Sequence, residues 1–444
     1  MATLARKLHT VDYFTLSFGT MIGVGWLVVM NDWLSRGGPL GGVLGFALGG
    51  AALIPIGYVY GRLAMAMPDA ASEIAYTSKV FPEWISFFTG WMMVLAYAIV
   101  CPWEAVAIGK IAAFIFPWLD SFPLYRVGGD IVYLPHLVVG LGLVAALTWL
   151  NWRGIRSSAT FQNWMTFLLL ALFILFGSFG VARGHLANLH PLFSHSGWVS
   201  VLLVLQIVPY FMTGFEAVPK CAEEAAPEFR SRGFFRAILL AIVVGTAFYT
   251  GMIAVVGYVG HWPSLVKQNF ATAVAFERAL GSRWIVSVIF AAALFSLVKV
   301  FNGNLVASSR LVFALGRRGM LAGWLGKVHE RNRTPAAAIL AIGVVSAGAV
   351  LLGESILVPI TEVGSLASAS GWLATCLAYL AMRPRGRQAS VALLGALVAL
   401  WLVLMKFVPV IPGHFSGHEY LVLALWLTAG LALRRRATKG VALA

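Results

Sequence analysis

The chain has 444 residues, 60% of them hydrophobic and 11% charged, with a mean hydropathy of +0.86 and a net charge of +15. So apolar a composition excludes a soluble domain and identifies an integral membrane protein. Its basic residues gather in the connections between apolar runs, which is the pattern of membrane topology rather than of a nucleic-acid partner.

The basic segment Met1–Thr10 leads into an apolar run at 12–34. The run is too long for a signal-peptide core and lacks a small-residue cleavage site, so it reads as the first span. Within it stands Gly19-Thr20-Met21-Ile22-Gly23-Val24-Gly25-Trp26. Glycine costs a helix roughly 0.5–1 kcal/mol relative to alanine, yet it lets the backbone unwind and approach a neighbour closely. Unwound backbone survives at membrane depth only where it is buried in protein or lines a polar cavity. Two readings follow: close packing through small residues, or a broken helix at a midplane binding site, as in secondary transporters.

Further runs of bilayer length lie at 40–66, 84–115, 132–151, 160–182, 198–219, 234–260, 284–313, 335–353, 356–382, 389–409 and 419–433. The expected fold is all-α, with twelve transmembrane helices. Cys101 and Cys376 fall in apolar runs and Cys221 in a polar connection, so no disulfide framework or metal-ligand spacing is present. If both termini are cytoplasmic, 23 of the 32 Lys and Arg residues fall inside, including Arg156, Arg434, Arg435, Arg436 and Lys439; six fall outside, Arg283 among them. That asymmetry favours an even number of spans in a plasma membrane.

The sixth run repeats the peculiarity of the first. Val208-Pro209-Tyr210-Phe211-Met212-Thr213-Gly214-Phe215-Glu216 places a proline, a glycine and an acid inside an apolar helix. Interruptions at spans one and six are what a five-plus-five inverted repeat predicts. The division is then a terminal segment 1–10, repeats 11–183 and 184–382, and spans eleven and twelve with a cytoplasmic C-terminus in 383–444.

On four segments the chain resembles the amino acid–polyamine–organocation superfamily of permeases. They are Gly19…Ile22-Gly23-x-Gly25; Met67-Pro68…Ser72-Glu73…Tyr76…Phe81…Gly90-Trp91; Phe211-Met212-Thr213-Gly214-Phe215-Glu216 followed by Glu223-Glu224-x-x-Pro227; and Asn302…Ser308-Ser309-Arg310…Ala314…Arg318-Gly319…Thr334-Pro335. The resemblance implies the LeuT-like fold shared with sodium-coupled amine transporters, and alternating-access transport of amino acids or amines, including polyamine- or ethanolamine-type substrates. It departs from the family at Val24, where many members have a small residue, and in Phe161–Phe176, which lacks the fifth-helix lysine of some proton-coupled members.

An amino acid carries a carboxylate beside an ammonium. Backbone N–H groups of Val24, Gly25 and Trp26 are candidates for the carboxylate, because free amides and the helix dipole favour an anion. Carbonyls of Met21 and Ile22 beside Gly23, with those of Phe211 and Met212, are candidates for the ammonium. Phe211, Phe215, Trp26 and Trp103 are candidates to close over the ligand, against the commoner role of aromatic residues in packing. Three ionisable residues lie deep in spans and need a partner or a cavity: Glu104, Glu216 and Lys299. Glu104 either meets a basic substrate group or pairs with a lysine. Glu216 either titrates or satisfies the helix break. The resemblance aligns Asn302 with the family's eighth-helix asparagine and so puts Lys299, one turn earlier, near the cation site of sodium-dependent relatives of the fold; it implies that Lys299 replaces a coupling sodium ion and carries a proton, or acts as a fixed cation.

Glu223, Glu224 and Glu228 interleave with Lys220, Arg230 and Arg232, as an inner gate or a solvated face would. His185, His190 and His195 have loop spacing without metal geometry, no phosphate loop is present, and neither His329-Glu330 nor His418-Glu419 continues to a second histidine. Neither a cofactor, an ATP motor nor a hydrolase is therefore expected. A channel-like pore and an intramembrane enzyme are the alternatives of other classes.

Overall fold

The structure, a computed structural model, describes residues 4–281 and 284–435. Arg283, Arg436 and Lys439 of the charge pattern lie outside the described residues, as does the side chain of Arg156.

The first apolar run is broken. α1 (Thr10–Met21) ends at Ile22, whose backbone is extended, and after Gly23 and Val24 a single turn, α2 (Gly25–Val28), resumes. The chain continues in α3 (Met30–Ala66), two helical stretches joined at a kink at Gly38, with φ of 63°, between the runs read as 12–34 and 40–66. Pro39 follows that kink and fits the start of a new helical stretch because its missing N–H would have no partner there. The chain returns through α4 (Glu73–Ser78), α5 (Glu83–Ala98) and α6 (Val100–Ile115), the last two forming one long run.

An all-α fold is not quite what forms. β1 (Pro123–Val127) pairs antiparallel with β2 (Asp130–Tyr133) through Gly128-Gly129, both at positive φ. The reason is local: β-branched and aromatic residues flank a two-residue Gly-Gly turn, and the segment is too short to span a bilayer.

α7 (Leu134–Arg153) and α8 (Ile155–Arg183) follow. The sixth run divides into α9 (Gly197–Leu205), α10 (Val208–Met212) and α11 (Ala217–Lys220). Beyond it come α12 (Arg232–Val259), the connecting α13 (Trp262–Leu265) and α14 (Ala271–Leu280), then α15 (Trp284–Arg317), α16 (Ala336–Val350), α17 (Leu357–Ala381), α18 (Arg387–Phe407) and α19 (Gly417–Leu433). Among the described residues nine helical runs are long and apolar enough to cross a bilayer, and α16 and α19 are shorter apolar helices. The α1–α2 run is 83% buried within the protein, whereas 158–183 is only 22% buried, so the broken helix is central and α8 faces outward.

The two interruptions meet. Gly214, in the gap between α10 and α11, has φ of 139°, and a Cβ there would lie 2.7 Å from Met21 Cγ and 2.8 Å from the Met21 amide nitrogen. Ser17 Oγ donates to Gly214 O at 3.2 Å. Only glycine combines that φ with that contact.

Candidate functional site

Ending α1 at Met21 frees the carbonyls of its last turn, and each needs a donor. The Tyr249 hydroxyl donates to Met21 O at 2.8 Å. Ser296 Oγ lies 3.0 Å from Ile22 O and 2.7 Å from Gly23 O. Lys299 Nζ donates to Ile22 O at 2.9 Å and Gly19 O at 3.3 Å, with Phe18's ring 5.2 Å away, and Asn304 Nδ2 donates to Thr20 O at 3.1 Å. The Met21 and Ile22 carbonyls, expected to be open to a ligand ammonium, are thus taken by side chains of α12 and α15. Ser296, Lys299 and Gly303 stand at helical spacing on α15, a polar and small stripe that was the available sign of this contact.

Glu104 is buried and lies so close to Gly23 that a Cβ there would sit 2.2 Å from its Oε1. Its Oε2 has no partner. Lys110 does not serve it: Lys110 reaches Glu354 at 2.9 Å instead. Glu216 Oε2 accepts from the Gly214 amide at 3.1 Å, so this carboxylate does cap the second break, while Oε1 is unpartnered.

The four candidate aromatic residues do not form one lid. Phe211 stands among Trp33 (ring centroids 4.8 Å apart), Tyr249 (5.9 Å) and Phe46 (6.2 Å), beside Gly25. Trp26 packs on Phe176, Phe215 on Tyr60 and Trp372, and Trp103 near Tyr210. Met212 is buried, its methyl near Gly245. Trp33, Phe46 and Tyr249 are not distinguishable in the sequence, because an aromatic in an apolar run carries no mark of the surface it faces. Asn302 also looks elsewhere than the break: it bonds Asn151, Ser158 and Gln162, tying α15 to α7 and α8.

The amino acid permease family matches residues 8–431. The chain belongs to this family, within the amino acid–polyamine–organocation superfamily. Similar proteins include the methylthioribose transporter of Bacillus subtilis, 27% identical over 378 residues, covering 82% of this chain and 79% of that one. A branched-chain amino acid permease of the same organism is 26% identical over 82% of this chain and 77% of its own. An aspartate–proton symporter, again from Bacillus subtilis, is 23% identical over 75% and 65%. The permease is accordingly a multi-pass membrane protein.

At the face where the permease's α1 begins, charges are joined across long sequence distances. Arg310 holds buried Glu224 through Nη2 at 2.8 Å and Nε at 3.3 Å, and Lys220 holds buried Glu73 at 2.6 Å. Arg317 bridges Glu223 (2.5 Å) and Asp69 (3.6 Å), and Arg318 reaches Asp69 at 2.7 Å. The acids at 223, 224 and 228 therefore do not pair with Lys220, Arg230 and Arg232 as their interleaving suggested; Glu228 meets His9 at 3.5 Å. The N-terminal segment closes over them, with the Lys7 and Leu8 amides donating to Glu224 O at 2.8 and 2.9 Å.

Burial alone raises the Glu223 carboxyl, but hydrogen bonds and charge from Arg317 outweigh it and hold the group below its ordinary range. A depressed carboxyl adds stability above its unfolded value, about 4.3, and loses it as pH falls through the folded value. The Tm of the purified permease should therefore fall on acidification from about pH 5, and Arg317→Ala should flatten part of that fall. Arg317 is 39% exposed, so the pair contributes at most about 1 kcal/mol. An acid limb of unchanged size in Arg317→Ala excludes the pair as its source.

Proposed function

We propose that the permease is a secondary active transporter of amino acids or related organic amines, working by alternating access. The observation that carries this reading is the contact of the two helix breaks at Gly214 and Met21, with buried acids at both. Irregular backbone at membrane depth is stable only inside protein or beside a polar cavity, and paired interruptions in corresponding spans mark transporter sites.

With the nine long runs, α16, α19 and the interrupted α9–α11 segment give twelve crossings. Repeats over 11–183 and 184–382 then put the breaks in equivalent places, and the basic asymmetry puts both termini in the cytoplasm of a plasma-membrane protein. The network of Asp69, Glu223, Arg317 and Arg318 acts as the inner gate. Coupling is sodium-independent, by proton symport or by exchange, with Lys299 in place of the ion and Glu216 as a second buried acid; a relative named for proton symport supports this choice.

Uptake of radiolabelled substrates into proteoliposomes tests the reading. A carrier saturates and shows counterflow when the vesicles are preloaded. Flux that rises linearly with concentration and shows no counterflow would make the protein a pore.

A further inference from the structure

Each break already holds one of the permease's own buried acids. At the first break Glu104 Oε1 stands against Gly23, and at the second the Gly214 amide donates to Glu216 Oε2 at 3.1 Å. The other oxygen of each, Glu104 Oε2 and Glu216 Oε1, is buried and has no hydrogen-bond partner. Neither nearby lysine completes them: Lys299 Nζ is spent on Gly19 O and Ile22 O, and Lys220 Nζ on Glu73 and on the Glu216 carbonyl. Among the described residues no ion pair within 4.0 Å reaches Glu104 or Glu216.

A zwitterionic amino acid entering here meets two carboxyl groups where it needs amide donors. Like charges at low dielectric repel strongly, so a ligand carboxylate is disfavoured beside Glu104. A cation meets the opposite situation. It finds, beside Gly23, the Glu104 carboxyl, whose Oε2 is unpartnered, and, two residues along, the ring of Phe211 at Gly25 with Trp33 and Tyr249 behind it. Aromatic faces attract ammonium groups, more so when water is excluded.

We infer that the substrate is an organic amine that carries an ammonium group and no carboxylate, with Glu104 as its counter-charge. This rests on the transporter reading and narrows it. In substrate terms, a decarboxylated amine binds and its parent amino acid does not.

Matched pairs test it: ethanolamine against serine, isobutylamine against valine, cadaverine against lysine and agmatine against arginine. Thermal shift of the purified full-length permease reads binding, and counterflow in proteoliposomes reads transport. In at least one pair the amine should bind more than tenfold tighter than the acid. Equal or tighter binding of the amino acid in every responding pair overturns the inference and leaves the transporter reading standing. Silence of all eight compounds in both assays overturns the two together. Glu104→Gln keeps the shape of the side chain and should weaken the preferred amine roughly 10- to 100-fold, the worth of a hydrogen bond to a charged group. An unchanged amine affinity in that variant, folded by size exclusion, also overturns the assignment.

Discussion

Gly25→Leu yields a membrane-inserted protein with no saturable uptake. A Cβ at Gly25 would lie 2.6 Å from Phe211 Cε1 and 3.1 Å from Trp33 Cζ2, below any real contact for the first and tight for the second. Phe211 cannot swing aside freely, because Trp33, Phe46 and Tyr249 surround its ring. Overpacking of this kind typically costs 1–3 kcal/mol, and the structure relieves it by opening the contact between α2 and α10. The expected defect is therefore a displaced Phe211 and a distorted break rather than a ligand blocked by the new side chain itself. Gly25→Ala should retain part of the activity, since only one carbon must be accommodated. Gly177→Leu is the control: nothing lies within 4 Å of a Cβ there. Uptake and thermal unfolding measured on all three separate the effects. Undiminished saturable uptake by Gly25→Leu would remove the first break from the site.

How far the sequence foretold this arrangement depends on the kind of residue. Interruptions were legible because glycine and proline act on the backbone wherever they occur, so Gly23, Gly25, Pro209 and Gly214 locate both breaks without tertiary information. Span positions were legible for the same local reason, hydrophobic length, and the Gly38 kink falls in the gap between the runs 12–34 and 40–66. Partnership was not legible. Whether Lys110 serves Glu104 or Glu354, and whether Glu224 meets Lys220 or Arg310, is decided by how helices far apart in the chain are juxtaposed. Aromatic roles were hidden on the same ground: Trp26 and Phe211 look alike in the sequence, yet one packs on Phe176 and the other on Trp33.

Uptake should be independent of sodium, should be driven by an imposed pH gradient, and should lose that drive in Lys299→Ala. The geometry behind this is the seat of the ammonium: it sits on the Ile22 and Gly19 carbonyls at the end of α1, where a positive charge balances the negative pole of a helix C-terminus. The break need not collapse without it, because Ser296 can still donate to Ile22 O or Gly23 O, and Tyr249 and Asn304 still hold Met21 O and Thr20 O. Loss of coupling in Lys299→Ala is therefore expected with substrate binding retained, which thermal shift checks directly. Lys299→Arg divides the two roles open to a buried cation. Arginine keeps the charge but does not deprotonate in proteins, so a proton carrier loses its pH response while a fixed cation keeps full activity. For a working proton site, the uptake ratio with and without an inward pH gradient should drop from several-fold in the wild type to about one in both variants. A strict sodium requirement in the wild type would refute the replacement outright. Sodium-independent exchange that ignores the gradient, and survives Lys299→Arg but not Lys299→Ala, would make the lysine a permanent part of the electrostatic floor of the site.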